Sequence, residues 1–308
     1  AFVGGIFQDS KTNMMSRGNT YTLVEADEFD RSFLHLSPTI ACITSMDIDH
    51  LDVYSDAASL QDAYGEFASQ VKGSLFVEKR IPLKGITYSV TEAADFYIDG
   101  IKPDASGSYF DLHTPDGVYR NQFFNQLGMH NLSNALVALA MASKAGLPVE
   151  DLAESLASFP GVKRRLQILI NEEDRVLIDD YAHHPTEIKA VYETLKLSFP
   201  ADKKCVVFQP HLFSRTQDFM TDFATVLSLF DRVLLLDIYP ARELPIEGVS
   251  SAVLKEMISG PSVELITKKE LANTLSLVDE RIIVLLGAGD IGEEVEGIKH
   301  KLSYDEAL

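Results

Sequence analysis

Apolar and polar positions divide this chain into strand-like and helix-like stretches that alternate for most of its length. Residues 20–24 and 39–44 are short apolar runs that predict buried strands. Residues 55–72 predict a helix, because Ala57, Leu60, Tyr64, Phe67 and Val71 recur at spacings of three and four. From 74 to 124 short strands dominate, at 74–77, 85–90, 96–101, 108–113 and 118–124, with Pro-Asp-Ala-Ser-Gly and Thr-Pro-Asp-Gly as turns between the later ones. They predict a β meander appended to a parallel core. An Ala-rich helix follows at 131–145, ending at Gly146, and a second helix at about 149–158.

Phe159-Pro160-Gly161 breaks the pattern and predicts a domain boundary, giving domains at 1–161 and 162–308. Beyond it a hairpin is followed by alternating helices and strands, with apolar runs at 175–178, 205–208, 233–236 and 281–286. Such alternation predicts an α/β fold with a doubly wound, mainly parallel sheet. A length of 308 residues suits about two domains.

The net charge of −19, from 27 basic and 46 acidic residues, argues against nucleic acid or an anionic membrane as the principal partner. No apolar run approaches the roughly 20 residues of a membrane span, and no signal-peptide pattern opens the chain. Cys42 and Cys205 each sit inside an apolar run, which favours buried thiols in a reducing compartment over a disulfide, and a cytoplasmic protein. The chain starts with Ala, which suggests a processed product or a piece of a longer chain.

Ionisable groups concentrate where strands give way to helices. The corner DDYAHHPTE, 179–187, follows one predicted strand, and Pro185 can open the next helix. QPHLFSRT, 209–216, and DIYPARE, 237–243, repeat the arrangement after the next two strands. In an α/β sheet such corners lie at the carboxyl edge, where ligands bind. One corner alone is equally well read as an N-cap, with Asp179 or Asp180 holding helix amides; three in succession exceed what a structural account requires.

In the first half, EADEFDRSF, 25–33, gathers Glu25, Asp27, Glu28 and Asp30, and Asp47, Asp49, His50 and Asp52 follow the next strand. Glu25 and His50 suit a divalent cation, and a solvated acidic rim presents the same residues. His130, Asn131 and Asn134 sit at a helix start, where they suit a purine or ribose edge; Asn131 equally suits a cap. Two phosphate-loop patterns read as decoys. The near P-loop at 5–12 has Ser10 in place of the second Gly. Gly287-Ala288-Gly289-Asp290-Ile291-Gly292 fits a dinucleotide fingerprint, but the chain ends before the second strand and acid that a nicotinamide site needs, so a tight strand-helix turn is expected.

Taken in order, EADEFDRSFLHL, DIDHLDVY, GMHNLSNALVALA, GVKRRLQ, DDYAHHPTE, FQPHLFSRT, DIYPARE and GAGDIG resemble the Mur ligases of peptidoglycan synthesis, most closely the alanine-adding branch. The resemblance spans residues 1–292. It implies part of a central ATPase domain with the appended meander, followed by a Rossmann-like C-terminal domain that takes amino acid and nucleotide. It implies an enzyme using ATP and Mg2+ (or Mn2+) that activates the lactyl carboxylate of UDP-N-acetylmuramate as an acyl phosphate and joins L-alanine to it.

By the same resemblance Glu25 and His50 are metal ligands, and His130, Asn131 and Asn134 contact nucleotide. Arg165 reaches the phosphates and Asp180 meets nucleotide from the second domain. Tyr181, His211 and Arg215 hold the amino acid's carboxylate, for which a guanidinium is well suited; His183 and His184 are further polar contacts. No lysine here matches the carbamylated lysine of some members, and Ser45 stands where the pattern often has Asn.

Full-length members also carry a UDP-sugar domain and a Gly-Lys-Thr P-loop, which the resemblance places before Ala1. The expectation is therefore a chain missing an N-terminal segment, inactive as it stands and, with apolar sheet surface uncovered, poorly soluble. Competing readings are a tripeptide-adding recycling ligase, a non-catalytic binding module that kept the fold, and a nicotinamide dehydrogenase resting on the glycine fingerprint alone.

Overall fold

A computed structural model describes residues 1–8, 12–16, 18, 20–46, 54 and 56–304. The chain divides into two compact units, Ala1–Pro160 and Gly161–Leu308.

The first unit opens with an irregular segment and a 3-10 turn at Phe29–His35. There follow β1 (Ile40–Ile43), α1 (Ala57–Gln70), β2 (Ser74–Glu78), β3 (Ile86–Ser89), β4 (Phe96–Asp104), β5 (Gly107–Thr114), β6 (Gly117–Phe124), α2 (Met129–Lys144) and α3 (Val149–Ala157). Asp56 starts α1 by accepting from the Ser59 amide at 2.8 Å, satisfying one of the unpaired amides of a first turn. The strands lie in sequence order, parallel from β1 to β4 and antiparallel from β4 to β6. Phe76, Phe96, Phe110, Leu112 and Phe124 pack with Leu132, Leu136 and Leu139 of α2. A second cluster joins Leu60, Ala63 and Phe67 of α1 to Phe33, Ala41 and Ile43.

Two expectations change. The meander is confined to β4–β6, because β2 and β3 are parallel to their neighbours. Alternation along a strand reports which face is buried and carries no information on direction. Residues 20–24 form no strand; Val24 makes a single parallel bridge to Phe2, and Tyr21, Leu23 and Val24 are exposed. An apolar run becomes a strand only where a neighbour offers a ladder, and among the described residues it finds one residue.

The second unit runs β7 (Gln167–Asn171), β8 (Val176–Asp180), α4 (Pro185–Ser198), β9 (Lys204–Phe208), α5 (Phe213–Asp218), α6 (Met220–Leu227), β10 (Arg232–Leu235), α7 (Ser251–Met257), β11 (Ser262–Leu265), α8 (Lys268–Leu275), β12 (Ile282–Leu286) and α9 (Val295–Tyr304), with a 3-10 turn at Asp290–Glu293 before α9. Strand order is β11-β10-β9-β12-β8-β7, parallel except for the edge hairpin β7–β8. Every residue of β8, β9 and β12 is buried, which is why their sequences read as continuous apolar runs. Leu271, Leu275, Val295, Ile298 and Leu302 of α8 and α9 cover one face, against Leu177, Cys205, Val207, Ile283 and Leu285. On the other face Phe223 of α6 packs on Phe208, ring centroids 5.2 Å apart.

Cys42 and Cys205 are free thiols; Cys205 is buried as its apolar run predicted, and Cys42 is half-buried. Burial pushes Cys42 up to about 11 and Cys205 further, so neither is a nucleophile at neutral pH. The strand order reverses between β9 and β12. In open parallel sheets the carboxyl ends of the strands beside such a reversal are where ligands bind.

Candidate functional site

Three of the predicted corners meet at that edge of the second unit. Tyr181 and His183 leave the end of β8, His211 follows β9, and Tyr239 follows β10. Their rings form a continuous series: Tyr181 to His183 edge-on at 5.4 Å, His183 to His211 edge-on at 6.1 Å, and His211 stacked on Tyr239 at 5.6 Å. A bridge between His211 and Tyr239, with the Leu212 amide donating to Tyr239 O at 2.9 Å, extends the β9–β10 pairing past the strand ends and fixes this spacing. Burial lowers the proton affinity of both His183 and His211, and the nearby Arg215 guanidinium lowers it further. The result is two neutral imidazoles beside a cation. Nδ1 of His211 is buried with no hydrogen-bond partner among the described residues.

The paired histidines have different jobs. His184 is the N-cap of α4: its Nδ1 accepts from the Thr186 amide at 3.3 Å, and its ring meets Phe219 edge-on at 4.5 Å. Glu187 accepts from the His183 and His184 amides at 2.8 and 3.0 Å, closing the turn from the other side. His183 is left with its Nδ1 3.0 Å from Tyr181 O and 3.4 Å from Glu187 Oε2.

Asp180 is buried, and its two oxygens accept from the Leu166 and Ala182 amides, each at 2.7 Å. It therefore pins the segment before β7 to the end of β8. Burial raises its proton affinity, opposed by those two amides. Asp179 is also buried and faces Arg164, Nε to Oδ2 3.3 Å. Burial wins over the guanidinium there and pushes Asp179 up to about 6. Arg164 further donates to the carbonyls of Gly287 and Gly289. Arg165 is exposed, its guanidinium 5.9 Å from the Tyr181 ring centre.

The glycine fingerprint owes its glycines to packing within the protein. A Cβ on Gly289 would lie 2.5 Å from Gln209 Oε1 and 2.7 Å from Tyr239 Cβ. One on Gly287 would lie 2.7 Å from Gln209 O, and Gly287 has φ +144. Gln209 holds this turn, donating to Asp290 Oδ1 at 2.8 Å and accepting from the Ile291 amide at 2.9 Å. The space a pyrophosphate would need is filled by Gln209, Tyr239 and Arg164, in line with a tight strand-helix turn.

In the first unit Glu25 is exposed and accepts from the Gly4 amide. A carboxylate with one further oxygen available is a hard donor of the kind Mg2+ takes. His50 and the acids at 47, 49 and 52 lie outside the described residues, as do Ser10 and Lys11 of the near P-loop. Among the described residues no three His, Cys, Asp or Glu side chains converge on one point. His130 and Asn134 are exposed one turn apart on α2. Asn131 does not cap that helix: the N-cap is Gly128, and Asn131 donates its side-chain amide to Leu127 O at 2.8 Å.

Two family models match: the Mur ligase middle domain over residues 7–142 and the Mur ligase glutamate ligase domain over 164–289. The chain belongs to the Mur ligase family. It is 50% identical over 307 residues to a UDP-N-acetylmuramate–L-alanine ligase of Christiangramia forsetii, covering 99% of this chain and 68% of that protein. A ligase of the same name from Flavobacterium psychrophilum is 51% identical over 304 residues, 98% of this chain and 68% of that one. In fold it is similar to the crystal structure of a UDP-N-acetylmuramate–alanine ligase from Thermotoga maritima, with TM-score 0.81 and 24% identity, over 100% of this chain and 69% of the other. Within this Mur ligase frame, sequence reasoning missed Arg164, Gln209, Tyr239 and Glu187. All four stand inside the motifs DDYAHHPTE, GVKRRLQ, FQPHLFSRT and DIYPARE, and Arg164 directly adjoins Arg165.

Proposed function

We propose that the chain serves ATP-dependent amide ligation of L-alanine to the lactyl carboxylate of UDP-N-acetylmuramate through an acyl phosphate. The observation that carries this reading is the convergence of Tyr181, His183, His211 and Arg215 on one strand edge in a chain half identical to alanine-adding ligases. Arg215 grips the carboxylate of the incoming amino acid, and the Tyr181, His183 and His211 rings wall the small space beside it. Arg165 attends the phosphates, and Asp180 keeps the corner closed beneath them. In the first unit His130, Asn131 and Asn134 receive the nucleotide, and Glu25 with His50 would hold Mg2+. The cation would supply charge neutralisation on the phosphates of ATP.

No Gly-Lys-Thr occurs in the 308 residues, so the phosphate cradle and its lysine come from outside this stretch, and the stretch alone does not turn over. No helix among the described residues is long and apolar enough to cross a membrane.

The test joins residues 1–308 to the remaining third of the Christiangramia forsetii relative and measures phosphate release. Release should require ATP, UDP-N-acetylmuramate and L-alanine together. Release driven by a tripeptide donor and not by L-alanine would replace this reading with the tripeptide-adding one, and turnover by residues 1–308 alone would refute the dependence on an outside cradle.

A further inference from the structure

Three histidines stand at the same strand edge, and the structure separates them by what each ring nitrogen touches. His184 has its Nδ1 lone pair occupied by the Thr186 amide and serves the helix. His211 has a buried Nδ1 with no hydrogen-bond partner among the described residues. His183 differs from both. The two groups at its Nδ1, the carbonyl of Tyr181 at 3.0 Å and the carboxylate of Glu187 at 3.4 Å, can only accept a hydrogen bond. Nδ1 must therefore carry the hydrogen, and in the neutral ring the lone pair is on Nε2.

Glu187 is itself fixed, because its Oε2 also accepts from the His183 and His184 amides. A carbonyl hydrogen-bonded to one nitrogen, a carboxylate 3.4 Å from it and a lone pair on the other nitrogen form an arrangement that lets an imidazole accept a proton and stabilises the cation that results. We propose that His183 is the base that takes a proton from the α-ammonium of the amino-acid donor through Nε2, with Tyr181 O and Glu187 holding the opposite nitrogen. This rests on the ligase reading above. An α-amino group is one carbon from its carboxylate, so a base beside the Arg215 clamp is beside the amine.

The proton balance is complete. The ammonium gives one proton to Nε2 and keeps the electron pair, which attacks the acyl-phosphate carbonyl. The new carbon–nitrogen bond forms, the bond from carbon to the phosphate oxygen breaks, and phosphate leaves with that electron pair and the second proton from nitrogen. The imidazolium then returns its proton to solvent.

The groups facing the ring are Tyr181 and His184 from its own corner, Glu187 from α4, His211 after β9 and Arg215 from α5. Burial, the largest effect, together with Arg215 and His184 favours the neutral ring, and Glu187 and the Tyr181 carbonyl oppose them with the smaller share. The ring therefore starts the cycle unprotonated at neutral pH, as a base must.

Two experiments test this. In 15N NMR of the 308-residue chain above pH 7, His183 should be protonated on Nδ1 and bare on Nε2; the opposite tautomer overturns the proposal. In the joined, active protein, His183→Gln should lower kcat at saturating L-alanine by about 10²-fold or more. Hydroxylamine is neutral at pH 7 and needs no base, so hydroxamate formation by the same variant should be retained, which also shows that it is folded and still activates the carboxylate. The deficit with alanine should shrink as rising pH supplies free amine. A variant that raises KM with kcat unchanged, or that loses both nucleophiles equally, overturns the role of His183. If the unsubstituted protein forms no hydroxamate, the acyl-phosphate reading fails, and this proposal with it.

Discussion

Replacing Arg164 by Gln should destabilise the second unit in a pH-dependent way. Asp179 is 3% exposed and its side chain pairs with Arg164. Even so paired, its proton affinity rises from the ordinary 3.8 to about 6, which corresponds to an ionisation cost on the order of 3 kcal/mol in the folded state. The raised value means that the native state binds more protons than the unfolded state between about pH 4 and 6, so this group lowers stability as pH rises through that window. Arg164 pulls in the other direction through charge and hydrogen bonding.

Without Arg164 the window extends upward. At pH 5 Asp179 is largely protonated in both proteins, and the variant loses chiefly the bonds to the Gly287 and Gly289 carbonyls and the guanidinium contact with the Tyr181 ring, about 1–2 kcal/mol. At pH 8 a lone buried carboxylate remains, and the loss should reach about 3–5 kcal/mol. The chain has no Trp, so protection of the β8 and β12 amides against hydrogen exchange is the direct measurement. Arg164→Gln/Asp179→Asn should recover most of the loss and its pH dependence. Equal destabilisation at pH 5 and pH 8 would refute the assignment of the effect to Asp179.

Gly289→Ala should cost about 1–3 kcal/mol by displacing Gln209 and Tyr239, and should weaken L-alanine binding, whereas Gly297→Ala, in open space on α9, should stabilise by about 0.5–1 kcal/mol; thermal melts and calorimetry compare them. His184→Ala should lower stability by about 1 kcal/mol through loss of the α4 cap, His184→Asn should restore it, and neither should reproduce the nucleophile-dependent defect of His183→Gln. Because His183 and His211 are held below their ordinary 6.5, chiefly by burial, they take up protons more readily when unfolded; their contribution is whole above about pH 6.5 and is lost as pH falls toward their native values. His183→Gln/His211→Gln should therefore flatten the acid side of the urea stability profile relative to the parent, and an unchanged profile would count against neutral, half-buried rings.

The sequence by itself determined the class of fold and the neighbourhood of the site. Continuous apolar runs at β8, β9 and β12 announced strands covered on both faces, and polar corners directly after such runs can lie only at the carboxyl edge of a parallel sheet. Strand direction in β2 and β3 was not legible, since the burial pattern of a strand carries no information on its orientation. The run at 20–24 shows the limit of apolar pattern, because a ladder needs a partner that periodicity does not supply.

Tertiary structure alone decided what each ionisable group does. Adjacent residues diverged completely: Asp179 pairs with Arg164 while Asp180 binds two amides, and His184 caps a helix while His183 turns its Nδ1 to the Tyr181 carbonyl. Residue type sets which protons and lone pairs exist, but the donor or acceptor that reaches each nitrogen or oxygen comes from segments distant in sequence. Gly289 makes the same point in steric form, since the side chains that require its glycine, Gln209 and Tyr239, come from two other strand ends.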